Sequence, residues 1–330
     1  MTRHMTMKGY RVYPFESPLT GAANRRGGVL ASRFLKLAPL LLSCLLASCA
    51  TTSRTGVIDA HLHGERDPAA QLEALRAGGV TTIAVSTSWD DQQRYVEGNQ
   101  MSVLHGLMFP CPRGKVPYSL QDCHADGREW PGVEWAEAQI KSGRIDFLGE
   151  VLTQYYGISP SDPRMDPYYS LAVRYDLPVG IHTGSAGPDH GSPDFREDLG
   201  NPALMRGLLA RHPGIRLWIM HAGAPFFDET LALMREYPNV HADISVINNP
   251  RIVPPEAFAT MMRALMDAGL GDRIMFGSDN ADIATTRASL DALSFLDAAQ
   301  RQAILHDNAE RFFRIEGSDR NVVPRNARTE

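Results

Sequence analysis

The sequence predicts an α/β fold, a single (β/α)8 barrel, and three observations carry that reading. From residue 56 onward, eight short apolar runs alternate with amphipathic stretches. Several of those stretches end in Gly or Pro punctuation: Ala77-Gly78-Gly79, Ser142-Gly143, His212-Pro213-Gly214 and Ala268-Gly269. No Gly-rich phosphate fingerprint follows any run, which weighs against an open dinucleotide-binding sheet. Alternating strands and helices imply a parallel sheet with right-handed crossovers. Eight such units in about 260 residues suit a closed barrel.

The elements follow in order. Strand-like runs are expected at 57–63, 81–88, 103–109, 145–152, 179–182, 215–221, 240–247 and 274–278. Helical stretches fall between them at 69–77, 134–141, 167–175, 202–211, 229–236 and 255–268, and a last helical region covers 285–313. Two junctions are long: 110–131 after the third run and 185–202 after the fifth. Long loops after barrel strands shape pockets. One domain, 56–316, is the simplest organisation, followed by a polar tail at 317–330.

The first 48 residues read as a leader. Arg25, Arg26, Arg33 and Lys36 precede an apolar run beginning at Leu37, the order of a secretory signal. That run spans about 12 residues, against roughly 20 for a membrane-crossing helix. Leu46-Ala47-Ser48-Cys49 resembles the bacterial lipobox, which implies lipidation of Cys49, a short tether at 49–55 and anchoring to a membrane. Ala50, rather than Asp, after the Cys resembles an outer-membrane address, so the expected location is the cell envelope, facing the periplasm. Residues 1–28 are expected to precede the true start, near Val29, because a leader of 48 residues exceeds the usual 15–30.

Charge is divided along the same line. The whole chain carries a net −5. Residues 1–48 hold seven basic residues and one acidic, leaving 26 basic and 37 acidic beyond them, a net −11. So acidic a body is a poor partner for nucleic acid. With 43% hydrophobic and 22% charged residues, the composition also excludes disordered and collagenous chains. Past Cys49 only Cys111 and Cys123 remain, 12 apart in a loop-like stretch, a candidate disulfide outside the cytoplasm.

Acid and imidazole residues gather where strands end. His61 and His63 close the first run, Glu150 the fourth, His182 the fifth, His221 the sixth and Asp279 the eighth. Strand C-termini converge on one face of a barrel, so these six side chains are expected to meet there. His61 and His63, two apart on a strand, point the same way. Imidazole and carboxylate together suit zinc and similar divalent metals.

This ordered set resembles the amidohydrolase superfamily of metal-dependent (β/α)8 hydrolases, across about residues 57–313. His306-Asp307-Asn308-Ala309-Glu310-Arg311-Phe312-Phe313 also resembles the closing segment of its amidohydrolase-2 branch. The resemblance implies that His61, His63 and Asp279 hold one metal and His182 and His221 a second, with a bridging residue after the fourth strand. Many members carry a carboxylated Lys there, where this chain carries Glu150, which can bridge unmodified. Two ions, zinc by expectation, are therefore favoured over one. Asp279 is the expected general base and His221 a catalytic neighbour, acting with a metal-activated water on a small ester, lactone, amide or phosphoester.

Weaker candidates surround this set. Trp89, Tyr155, Tyr156, His190 and Arg196 are candidate pocket residues, and Arg113 and Lys115 candidate receivers of an anionic group. Asp243 is a candidate partner of a ligand, while His105 and His241 are expected to pack away from the site. A decarboxylase or lyase is the rival enzyme class. It needs a carboxylate clamp, usually Arg, and no Arg directly follows a strand-end ligand. A non-catalytic metal-binding lipoprotein is the third reading. Burying so many carboxylates and imidazoles without a cation argues against it.

Overall fold

The computed structural model describes residues 56–95, 101–185 and 189–315. The leader, Cys49, the tether and the 317–330 tail lie outside the described residues. Eight parallel strands form a nearly closed (β/α)8 barrel in chain order: β1 (Val57–His63), β2 (Val80–Thr87), β3 (Ser102–Phe109), β4 (Phe147–Val151), β5 (Pro178–Ile181), β6 (Arg216–Ile219), β7 (Val240–Asp243) and β8 (Ile274–Met275). Two backbone bonds cross the seam: Ala60 N–H donates to the Phe276 carbonyl and Asp279 N–H to that of His61, both at 2.9 Å.

The helices are α1 (Pro68–Ala77), α2 (Val133–Lys141), α3 (Asp166–Arg174), α4 (Arg206–Arg211), α5 (Phe227–Glu236), α6 (Pro255–Asp267), α7 (Ile283–Asp291), α8 (Ala298–Gln302) and α9 (Asn308–Phe313). Local chemistry sets their starts. Asp67 accepts from Ala70 N–H at 3.1 Å, with Pro68 in the first turn of α1. Asp297 and Gln300 form a reciprocal capping box on α8.

Two apolar layers hold the barrel. Between strands and helices lie residues such as Leu72, Leu75, Met165, Leu208, Leu233, Met262 and Leu290. Inside the barrel Ile58, Ala60, Ala84, Phe147, Trp218 and Met275 pack against Phe312 and Phe313 of α9. Gly180 makes room there, since a Cβ on it would lie 2.3 Å from the Trp218 ring. Truncating so large a buried aromatic costs about 3–5 kcal/mol.

Several boundaries differ from the expected ones. β6 stops at Ile219 rather than 221 because His221 and Ala222 take left-handed backbone (φ 61° and 48°) and leave the ladder. β7 stops at Asp243 rather than 247, where Ile247 N–H turns back onto the Ser245 carbonyl at 2.6 Å. The single helical region expected over 285–313 is three helices, with a π turn at Ala303–Asp307 between the last two.

Candidate metal centre

The C-terminal ends of the strands bring the six predicted donors together. His61 and His63 come from β1, and both rings reach Glu150 and Asp279. Glu150 comes from β4, His182 follows β5, His221 sits in the turn after β6, and Asp279 follows β8 with φ 48°. Such left-handed residues cluster at functional sites, and here two of them carry donor side chains.

Glu150 lies at the centre. Its Oε1 is 2.5 Å from His182 Nδ1, 3.8 Å from His221 Nε2 and 3.9 Å from His61 Nε2, while its Oε2 is 3.5 Å from His63 Nε2. Asp279 Oδ1 is 2.9 Å from His63 Nε2 and 3.9 Å from His61 Nε2. His221 Nε2 is 3.4 Å from His182 Nδ1. His61, His63 and Glu150 form one buried trio with donor atoms within 4.8 Å of one another, and Glu150, His182 and His221 form a second.

Electrostatics organise the cluster. Burial opposes charge on Glu150, but His182 and His63 outweigh it and hold the carboxyl well below its usual range. Burial likewise opposes charge on Asp279, and His63, His61 and His221 reverse the balance, so it too stays ionised. Burial opposes protonation of His61, yet Asp243, Asp279 and Glu150 lift it to about 10. On His221 burial wins, and its pKa falls. Within this charged nest His61 Nε2, Glu150 Oε2 and His182 Nε2 are buried without a hydrogen-bond partner among the described residues. Orphaned buried polar atoms are costly, and their occurrence inside two buried donor trios that share Glu150 fits a divalent cation.

Surrounding groups aim the imidazoles. His61 Nδ1 lies 3.0 Å from Asp243 Oδ2 and 3.1 Å from Ser245 Oγ. His221 Nδ1 lies 3.0 Å from the same serine oxygen, and its backbone N–H donates to Asp243 Oδ1. His63 Nδ1 lies 2.7 Å from the Tyr118 hydroxyl. Beneath, Asp59 accepts from the backbone of His61 and Ser278 and is pushed up by burial to about 6.

The centre opens into a cleft of about 740 Å³. Tyr155 and His190 line it, together with Tyr118, Gln121, Arg66 and Asn280. The His190 ring sits 6.2 Å from Tyr118 and 6.0 Å from Tyr155. Three expected pocket residues are placed elsewhere. Trp89 packs edge-on against Trp135 under the guanidinium of Arg144, Tyr156 donates to Glu129, and Arg196 pairs with Asp198 on the surface. Lys115 is held by Asp122, and Arg113 donates to the Gly191 carbonyl, so both lie outside the lining. His105 packs in β3 beside Asp146, and His241 stacks on Phe312 at the opposite end.

Sequence reasoning missed Tyr118, Arg66 and Asn280. Asn280 directly follows Asp279, and its side chain accepts from His63 N–H at 2.9 Å. Arg66 stands three residues past His63, exposed at the rim, and makes no ion pair with a described residue. Tyr118 lies in the long loop at 110–131, inside the ring closed by a disulfide between Cys111 and Cys123.

Comparison with known proteins agrees with this fold. A 5-carboxyvanillate decarboxylase from Sphingomonas paucimobilis superposes with a TM-score of 0.55 at 14% identity, covering 79% of this chain and 100% of that one. A Pseudomonas putida protein assigned as a 2-pyrone-4,6-dicarboxylic acid hydrolase gives 0.55 at 17% identity, over 79% and 98%. A zinc-bound amidohydrolase from Burkholderia multivorans gives 0.52 at 15% identity, over 79% and 100%. At these identities the likeness shows the fold. No curated protein matches the sequence. The family model Amidohydro_2, described as amidohydrolase, matches residues 58–315, and the chain therefore belongs to the amidohydrolase family.

Proposed function

We propose that the protein is a metal-dependent hydrolase acting on a small ester, lactone, amide or phosphoester. The observation that carries this is the position of Asp279. Glu150 is sealed beneath the histidines at 1% side-chain exposure, whereas the Asp279 carboxylate is 21% exposed to the cleft. It is an ionised base within reach of both ligands and solvent.

His61, His63 and Asp279 would hold one divalent cation and His182 and His221 a second, zinc by preference, with Glu150 between them. When bound, the cations supply positive charge that polarises a carbonyl or phosphoryl oxygen and acidifies water. Asp279 accepts the water's proton and hands it to the leaving group. Its backbone is pinned by the bond to His61, and Asn280 pins that of His63, so base and ligands keep their spacing. Asp243 and Ser245 keep the rings of His61 and His221 facing the centre. Tyr155 and His190 wall one side of the cleft and limit water there.

Arg66 favours a second reading, a decarboxylase or lyase with this guanidinium holding the substrate carboxylate. Its exposed place at the rim, flanked by Glu65 and Asp67, makes it a weak clamp for a carboxylate at the centre. Esters, lactones and phosphoesters assayed with and without chelator decide between the two. Chelator-sensitive hydrolysis supports the first reading, and carbon dioxide release without hydrolysis overturns it.

We also propose that Cys49 carries lipid and anchors the barrel at the envelope, facing the periplasm. The basic-then-apolar order of the leader and Leu46-Ala47-Ser48-Cys49 support this. Mass spectrometry of the N-terminal peptide from membranes tests it, and an unmodified Cys49 overturns it.

A further inference from the structure

The loop at 110–131 is built as a rigid arm. The Cys111–Cys123 disulfide closes its base, with both cysteines buried. Cys123 N–H donates to the Gly114 carbonyl at 2.9 Å, Cys111 N–H to that of Glu129 at 2.8 Å, and Val116 N–H to that of Gln121 at 2.8 Å. Arg113 Nη2 ties the arm to the facing loop through the Gly191 carbonyl at 3.2 Å. From the turn inside this ring, Tyr118 reaches into the cleft and lays its ring 4.2 Å from that of His63.

A histidine that presents Nε2 to a cation must carry its proton on Nδ1, and that N–H needs an acceptor to fix the ring. Two oxygens stand near His63 Nδ1: the Ser86 carbonyl at 3.4 Å and the Tyr118 hydroxyl at 2.7 Å. The hydroxyl is the better placed. Unlike a carbonyl it can also donate, so it serves His63 whether Nδ1 is protonated or bare. His61 and His221 find their partners on β7 and just after it, part of the barrel itself. His63 takes its partner from a loop.

We propose that Tyr118 is the positioning residue of His63, and that the disulfide-closed arm sets the metal affinity of the centre by presenting that hydroxyl. The inference rests on the metal-centre reading above, but not on which reaction the centre performs.

The test is Zn²⁺ alone, titrated into the metal-free full-length protein against a chromophoric chelator. Tyr118→Phe weakens zinc binding by about 10-fold or more, the usual effect of losing a ligand's hydrogen-bond partner. Tyr156→Phe, which removes a hydroxyl outside the cleft, leaves it unchanged. Cys111→Ser/Cys123→Ser weakens binding too, and adding Tyr118→Phe to it weakens binding no further. In zinc-loaded protein labelled with 15N-histidine, the Nδ1–H signal of His63 moves in Tyr118→Phe while those of His61 and His221 stay. Wild-type zinc affinity in Tyr118→Phe, or an unmoved His63 signal, overturns the proposal, as does a wild-type chain that binds no zinc. Reduced affinity in Tyr118→Phe without any hydrolytic activity upholds the proposal and removes only the hydrolase reading.

Discussion

Asp243 Oδ2 lies 3.0 Å from Nδ1 of His61, and both side chains are fully buried. The pair couples β7 to β1 across the barrel mouth and turns the other imidazole nitrogen toward Glu150 and Asp279. The other Asp243 oxygen accepts from the backbone N–H of both His221 and Ser245. One carboxylate thus orients two metal-ligand candidates.

Asp243→Asn keeps the size but puts an amide N–H₂ where an acceptor is required. Zinc affinity is expected to fall about 10–100-fold, the cost of a lost partner behind a ligand. Chelator competition measures it, and circular dichroism checks that the barrel persists. Unchanged affinity would show that His61 is aimed by other contacts.

Asp279→Asn keeps an oxygen donor and removes the base. Turnover is expected to drop by about 10²–10⁴-fold with zinc content preserved. Metal analysis alongside steady-state kinetics separates the two effects. Near-normal turnover with full metal would reduce Asp279 to a ligand.

Glu150 touches the ligands of both proposed ions, so Glu150→Ala should remove more than one contact. Metal-replete wild-type protein is expected to hold two equivalents and Glu150→Ala one or fewer. One equivalent in both proteins would mean a single-ion centre.

His241 supplies a pH effect remote from the metal. Burial, then the nearby charge of Arg273, lowers its pKa from 6.5 to about 4. Between those values the unfolded chain binds a proton that the folded chain refuses. Its contribution to stability is therefore complete above about pH 6.5 and lost as pH falls toward about 4. At about 1.4 kcal/mol per pKa unit the full loss is about 3 kcal/mol. Urea unfolding at pH 7 and 4.5 should show a smaller pH dependence in His241→Phe than in the wild type. Parallel curves for the two proteins would remove His241 from the account.

The barrel was legible because buried strands and amphipathic helices leave different periods in the sequence. The six donors were legible because each stands at the end of an apolar run, where chain order alone puts it at the mouth. What was not legible depends on aim rather than place. Trp89 and Tyr156 also follow strands, yet Trp135 and Glu129 draw them away from the cleft. Tyr118 sits in a stretch without periodicity, and the cross-linked loop rather than its neighbours in sequence turns it inward. His221 reads as the last residue of a strand, but the bond from its N–H to Asp243 belongs to a left-handed turn visible only in three dimensions.

The central claim is that the cluster holds the metal on which hydrolysis depends. The direct measurement is activity toward the ester, lactone and phosphoester panel as zinc is returned in steps to chelator-stripped protein. The account predicts no hydrolysis in the stripped protein and recovery in proportion to bound zinc, and no hydrolysis with or without zinc in a His61→Ala/His182→Ala variant. Hydrolysis that persists without metal, or zinc-dependent hydrolysis that survives loss of both histidines, would contradict it.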